Sequence, residues 1–494
     1  MSSHLLQSLV TDLWSISLNL IESVTQHPWS VLLGVLFFGG SIFVHELGHF
    51  LAARRRGLQV ARFSIGFGPR ILSWRGRDGV EYRLAWLPIG GYVALPQLAD
   101  LRMIEGDADI DVATLPPVSY ATKMLVFAAG AAFNLLFAFL LACVVWRVGQ
   151  PTTVELSTTK IGLVLPTITL PDNSTVPSPA AEAGFQPGDV VRAIDGQRIG
   201  NWTDLQQTLF AGAGRAADGR PKAVFTVERD GRMLELTVYP RLSGDERMRR
   251  IGIAPAEEFV ILEVAPGSAA ARAGLKPDDR ITALDGRAML YLTTFAEYLR
   301  THVDRPVELS VLRSGRPLTL TLAARPGAKQ PTDIGLTFSS GYELVYPSPF
   351  EQITENVVMT YRMLVGLLNP RSDLGVSKLS GPLGIMRVFV ATAQTDIRFV
   401  LWFTILLNVN LAIFNLLPIP VLDGGQMLFA TIARLRGRAL PPGFILTAQS
   451  VFTMLLLSMV LYVTVFDVRR WARDAKEEQA EESAAPAAAP QPGH

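Results

Sequence analysis

From Pro28 to Val44 the chain carries no charged side chain, and this apolar run closes on His45-Glu46-Leu47-Gly48-His49. A run of that length crosses the hydrocarbon of a bilayer as a helix, where every backbone N–H and C=O must be satisfied within the segment. Ionisable groups at that depth are costly, so their presence points to function. On a helix a spacing of four puts both imidazoles on one face. Two such groups suit Zn²⁺, with Glu46 beside them as general base toward water. Two histidines satisfied by hydrogen bonds inside a bundle are the plainer alternative, but that would leave Glu46 needing a partner of its own.

The rest of the chain agrees with a membrane setting. At 494 residues with 49% hydrophobic content it is too apolar for an ordinary soluble protein and long enough for several domains. Four stretches have the length a spanning helix needs: Pro28 to Ala53, Met124 to Trp146, Phe399 to Leu422 and Gly443 to Phe466. The segment 1–27 has apolar residues at Leu6, Leu9, Val10, Leu13 and Leu20, interrupted by Asp12 and Glu22, and reads as an interfacial helix. It lacks the basic start of a cleaved signal peptide. A net charge of +1 gives no polybasic surface for nucleic acid.

Local charge sets the expected orientation. Arg54, Arg55, Arg56, Arg62 and Arg70 follow the first span, and Arg434, Arg436 and Arg438 lie between the third and fourth. The positive-inside rule then places both connections inside, with the termini and the long middle region outside. Arg469, Arg470 and Arg473 after the fourth span run against that assignment. The single cysteine, Cys143, excludes an internal disulfide.

Catalytic zinc takes three protein ligands, so two histidines need a third group. The third apolar stretch leads into Asn415-Leu416-Leu417-Pro418-Ile419-Pro420-Val421-Leu422-Asp423-Gly424-Gly425. Asp423 there shares the depth of His45 and His49, because the first and third spans run in the same direction. Pro418 and Pro420 cannot continue a helical ladder, so the backbone is expected to break, which membrane depth tolerates only inside protein or beside a cavity. Asn410 and Asn415 in the third span and Asn134 in the second are candidates for substrate contact. Gluing helices together is the commoner role of such residues.

Between the second and third spans the sequence duplicates itself. Ala183-Gly184, Pro187, Asp189 and Asp195-Gly196 return ninety positions later as Ala273-Gly274, Pro277, Asp279 and Asp285-Gly286. Arg229-Asp230-Gly231-Arg232 returns as Arg313-Ser314-Gly315-Arg316, a turn between strand-like runs in each copy. Both copies resemble PDZ domains of the circularly permuted bacterial kind, at 151–243 and 247–328. The second departs at Asp278, where that family has glycine. PDZ domains bind peptides by strand addition; the two copies could equally act as steric shields.

Taken together, these features resemble the site-2 protease family of intramembrane zinc metalloproteases, most closely its bacterial branch with tandem PDZ domains that regulates sigma-E. Phe63-Ser64-Ile65-Gly66-Phe67-Gly68-Pro69, Pro88-Ile89-Gly90-Gly91-Tyr92-Val93, Leu379-Ser380-Gly381-Pro382-Leu383-Gly384-Ile385 and the N-x-x-P-x-P-x-L-D-G run ending at Gly424 carry the likeness. The resemblance implies an α-helical integral membrane protein of four spans with a membrane-associated β-hairpin and edge strand. It implies a membrane half at 28–146, amphipathic helices at 340–396, a second membrane half at 397–468 and a disordered tail at 469–494. By the same resemblance His45, His49 and Asp423 are zinc ligands, Glu46 is the base, and Asn410 and Asn415 contact substrate. The implied partners are single-span membrane proteins such as anti-sigma factors already cut outside, or signal-peptide remnants, in a bacterial inner membrane. One departure is Gly130-Ala131-Ala132-Phe133-Asn134, where the family has G-P-x-x-N, which leaves a kink in the second span open. The rival reading is a catalytically inactive scaffold whose PDZ domains hold partner tails; it predicts no metal.

Overall fold

The computed structural model describes residues 28–98, 115–170, 174–243, 248–324, 330–339, 342–375 and 378–484. The expected interfacial segment 1–27 and the last ten residues lie outside that set. Two compact units divide the chain, one from Met1–Gln150, Tyr346–Thr360 and Val376–His494, the other from Pro151–Val345 and Tyr361–Gly375.

Among the described residues, four helices of the first unit are long and apolar enough to cross a membrane: Pro28–Arg55, Tyr120–Val148, Ile397–Asn415 and Pro442–Arg473, the last part of a longer helix. Each starts where its sequence allows. Ser119 accepts from the Thr122 N–H at the head of the second span, Asp396 accepts from the Arg398 N–H at the head of the third, and Gly149 closes the second at φ +80°. Leu32, Leu36, Leu136, Leu140, Met454 and Leu461 are exposed, as lipid-facing side chains must be. The second span is continuous through Ala131, so the missing proline leaves an unbroken helix.

Two boundaries differ from the sequence reading. The third span stops at Asn415 rather than reaching Leu422, and a separate helix, Asp423–Arg436, begins at the acidic residue. Pro418 and Pro420 force the break. The fourth helix continues to Ala484, through a region expected to be disordered; residues 474–484 are mostly Ala, Glu, Gln and Lys, all strong helix formers.

The second span is the hinge of the membrane packing. Val126, Gly130, Asn134, Ala138 and Ala142 are buried on it at intervals of four. Because 3.6 residues make a turn, this stripe drifts by about 40° per step. Gly130 meets the first span, whereas Ala138 and Ala142 pack with Ile405 and Val409 of the third. Gly48 permits the first contact, since a Cβ there would lie 2.4 Å from the Ala129 carbonyl oxygen. Asn408 of the third span donates to Ser41 Oγ of the first at 2.8 Å. The fourth span is peripheral, with 17% of its apolar window buried against 44% for the third.

After the first span, Arg62–Arg75 and Glu81–Ala94 fold into one antiparallel sheet. Residues 62–65 pair with 81–84 on one side and 91–94 on the other, so 91–94 forms an edge among the described residues. Ile71, Leu72, Trp74 and Trp86 are exposed on this hairpin. Helices Pro349–Leu368 and Pro382–Thr395 occupy the region where amphipathic helices are expected.

The second unit holds two modules of like construction. In the first, strands 232–238, 223–229, 190–194 and 197–198 lie in that order beside helix Trp202–Phe210; in the second, 316–322, 307–313, 280–284 and 287–288 repeat the order beside helix Leu292–Thr301. Phe225, Ile194 and Leu205 fill one core, and Phe295, Leu284 and Leu309 the other. The repeated aspartates are structural. Asp189 takes Arg229 and the Gln186 N–H; Asp279 takes Arg313 and the Lys276 N–H, each on a fully buried carboxylate. Asp278 keeps the turn that Gly188 makes, at φ +66° against +101°.

Candidate active site

His45 and His49 stand one turn apart on the last third of the first span. Asp423 is the first residue of its helix, held there by the turn 416–422 folding tightly beneath it. Cβ atoms on Gly424 and Gly425 would lie 2.3 Å from Leu416 O and 2.1 Å from Ile419 O, and Gln426 Nε2 donates to Pro420 O at 2.9 Å. The break that shortens the third span therefore delivers the carboxylate. Asp423 Oδ2 lies 3.3 Å from His45 Nε2 and 3.4 Å from His49 Nε2, and the two Nε2 atoms are 3.1 Å apart.

These atoms suit a cation better than one another. His49 Nδ1 is 2.8 Å from Val126 O, and a carbonyl only accepts, so Nδ1 is the donor and Nε2 of the neutral ring presents its lone pair. Asp423 Oδ2 is buried and accepts no hydrogen bond. The His49 Nε2 lone pair and this carboxylate converge here, and a buried carboxylate oxygen is costly unless a cation satisfies it. Among the described residues His45, His49 and Asp423 form a group able to hold a metal ion, with their ligand atoms within 4.8 Å of one another. Two imidazoles and one carboxylate are a hydrolytic zinc set, so the residues fit that ion.

Glu46 is buried, and strand 91–94 lies against it: a Cβ on Gly91 would meet Glu46 Cγ at 2.9 Å. Only glycine lets an edge of the sheet come so close to this carboxylate.

The asparagines separate. Asn410 takes a short hydrogen bond on its Oδ1 from Thr360 Oγ1 of helix Pro349–Leu368. Asn415 ends the third span, partly exposed. Asn134, expected among the substrate contacts, is fully buried, with its amide Nδ2 3.3 Å from His45 Nδ1.

Gly130 and Val126 escape the sequence reading as site residues. A Cβ on Gly130 would lie 2.4 Å from His49 Nε2 and 2.8 Å from His45 Nε2, so this glycine keeps the space in front of both ligand nitrogens clear. The interval of four linking Val126, Gly130 and Asn134 is the available signal; it becomes readable once the helix facing the histidines is known.

Comparison with known proteins gives consistent results. The model of peptidase family M50 matches residues 33–459. The regulator of sigma-E protease RseP of Escherichia coli (strain K12) is 31% identical over 463 residues, covering 88% of this chain and 98% of the relative. Protease RseP of Yersinia pestis is 30% identical over 465 residues with the same coverage, and the regulator of sigma E protease of Salmonella typhi is 29% identical over 458.

Proposed function

The chain belongs to peptidase family M50 and is a membrane zinc metalloprotease, and we propose that it cleaves the transmembrane segments of single-span membrane proteins at a centre formed by His45, His49, Asp423 and Glu46. The observation that carries this reading is the convergence of two imidazole Nε2 atoms and the Asp423 carboxylate from two distant helices, close enough together to hold one metal ion.

His45, His49 and Asp423 would hold the ion. When bound, zinc lowers the pKa of a water to about 7 and polarises the scissile carbonyl. Glu46, one residue beyond His45 and shielded by the Gly91 strand, takes the proton from the attacking water and returns it to the leaving amine. A helical substrate shields its carbonyls, so it must open first. Among the described residues, 91–94 form a strand edge beside Glu46 on which an unwound segment can pair, and this lowers the barrier to opening. Asn410 spends its oxygen on Thr360 and keeps its N–H groups for a substrate carbonyl; Asn415, at the broken end of the same helix, is the second such contact.

In this reading the two modules of the second unit are permuted PDZ domains that filter substrates by size or hold peptide tails. Relatives are named for sigma-E regulation, which favours anti-sigma-factor-like substrates trimmed on the outer side, with signal-peptide remnants as a further class. The arginines after the first span and between the third and fourth favour an inner-membrane protein with its modules outside and its centre toward the cytoplasm.

The test is Glu46→Gln in the full chain with a single-span substrate. Cleavage falls by about 10²–10⁴-fold while bound zinc stays near one per chain. Cleavage at the wild-type rate would refute the role given to Glu46.

A further inference from the structure

We infer that Asn134 is a positioning residue for His45: its side-chain oxygen accepts the ring Nδ1–H and so fixes the tautomer that turns Nε2 toward the metal position. This rests on the zinc reading above but concerns a residue outside the ligand set.

The two histidines pose the same requirement. A neutral imidazole can present its Nε2 lone pair only if the proton sits on Nδ1, and a buried Nδ1–H needs an acceptor. For His49 the acceptor is Val126 O on the second span, at 2.8 Å. For His45 the polar group in reach of Nδ1 is the Asn134 amide, eight residues further along the same span, whose Nδ2 stands 3.3 Å away, so the inferred bond requires the amide to turn its oxygen to that position. Asn134 Oδ1 is buried and accepts from no other group, so its capacity is free for the ring. The oxygen and nitrogen of an amide exchange places by rotation about its terminal bond. The amide thus serves His45 as the Val126 carbonyl serves His49, and Gly130 between them clears the ligand face of both rings. One stripe of one helix orients the pair.

Acceptors that hold the far nitrogen of a metal-binding histidine change metal affinity by about 10–100-fold. The experiment measures Zn²⁺ affinity by chelator competition on the detergent-solubilised full chain. Asn134→Leu keeps the size and removes the acceptor; Asn134→Asp keeps an acceptor and makes it stronger. The leucine variant is expected to bind Zn²⁺ about 10–100-fold more weakly, and the aspartate variant within about threefold of wild type. If Asn134 merely fills space, the order reverses, because leucine packs and a buried carboxylate does not; that reversal, or equal affinities for leucine and wild type, overturns the inference. Should leucine prevent folding, Asn134→Ala replaces it in the same comparison with Asn134→Asp. Equal binding by wild type and His45→Ala would overturn the zinc site itself, a failure distinguishable from that of Asn134 alone.

Discussion

Each unit of the molecule buries aspartates at a site no lone carboxylate could occupy cheaply, and the two units solve that problem differently. In the paired modules Asp189 and Asp279 are saturated, each by an arginine and a backbone N–H from its own turn. In the membrane unit Asp423 has neither an arginine nor a backbone N–H on its buried Oδ2 and faces the Nε2 atoms of His45 and His49 at 3.3 and 3.4 Å. A satisfied buried carboxylate closes a fold; one left open among other acceptors marks a place for a cation. Repetition in the sequence therefore pointed to architecture, and the solitary pattern pointed to chemistry.

The contrast can be broken by removing partners. Arg313→Met strands the Asp279 carboxylate and is expected to destabilise the second module, read as faster hydrogen exchange in strands 307–313 and 316–322; zinc content should not change. Gly130→Ala does the reverse. It pushes a methyl into the ligand nitrogens and is expected to weaken Zn²⁺ binding by about 100-fold, roughly 2.7 kcal/mol, with exchange in the modules unaltered. Loss of module protection in Gly130→Ala, or of zinc in Arg313→Met, would show that the two carboxylates are not independent.

A gentler separation uses pH. Burial pushes the Asp279 carboxyl up, but Arg313 and the Lys276 N–H outweigh it and hold it below its ordinary value. Its pKa is thus lower folded than unfolded, so its stabilisation is complete above the unfolded value, near about pH 4, and is lost as pH falls through the folded one. Acid titration should loosen the second module over that range, and Asp279→Asn should flatten the dependence. The smallest effect distinguishes the two modules from each other. Asp278 sits at φ +66° where its counterpart is Gly188, so Asp278→Gly should stabilise the second module by no more than about 1 kcal/mol, seen in its thermal midpoint. A loss of stability there would mean that the side chain contributes more than the strain costs.

The sequence by itself determined what local pattern can determine. The apolar runs set the four spans, the spacing of four put His45 and His49 on one face, and the prolines before Asp423 announced a broken backbone. The offset of ninety gave two modules with matching turns. Tertiary structure alone decided what faces those groups. That the third span ends at Asn415 and a new helix starts on Asp423 depends on how the turn 416–422 closes over Gly424 and Gly425. That Gly91 shields Glu46, and that Asn134 lies against His45, follows from which sides of the sheet and the second span meet the first. The physical reason is that periodicity reports which residues share a face, while the partner of that face is fixed only when helices distant in sequence pack together.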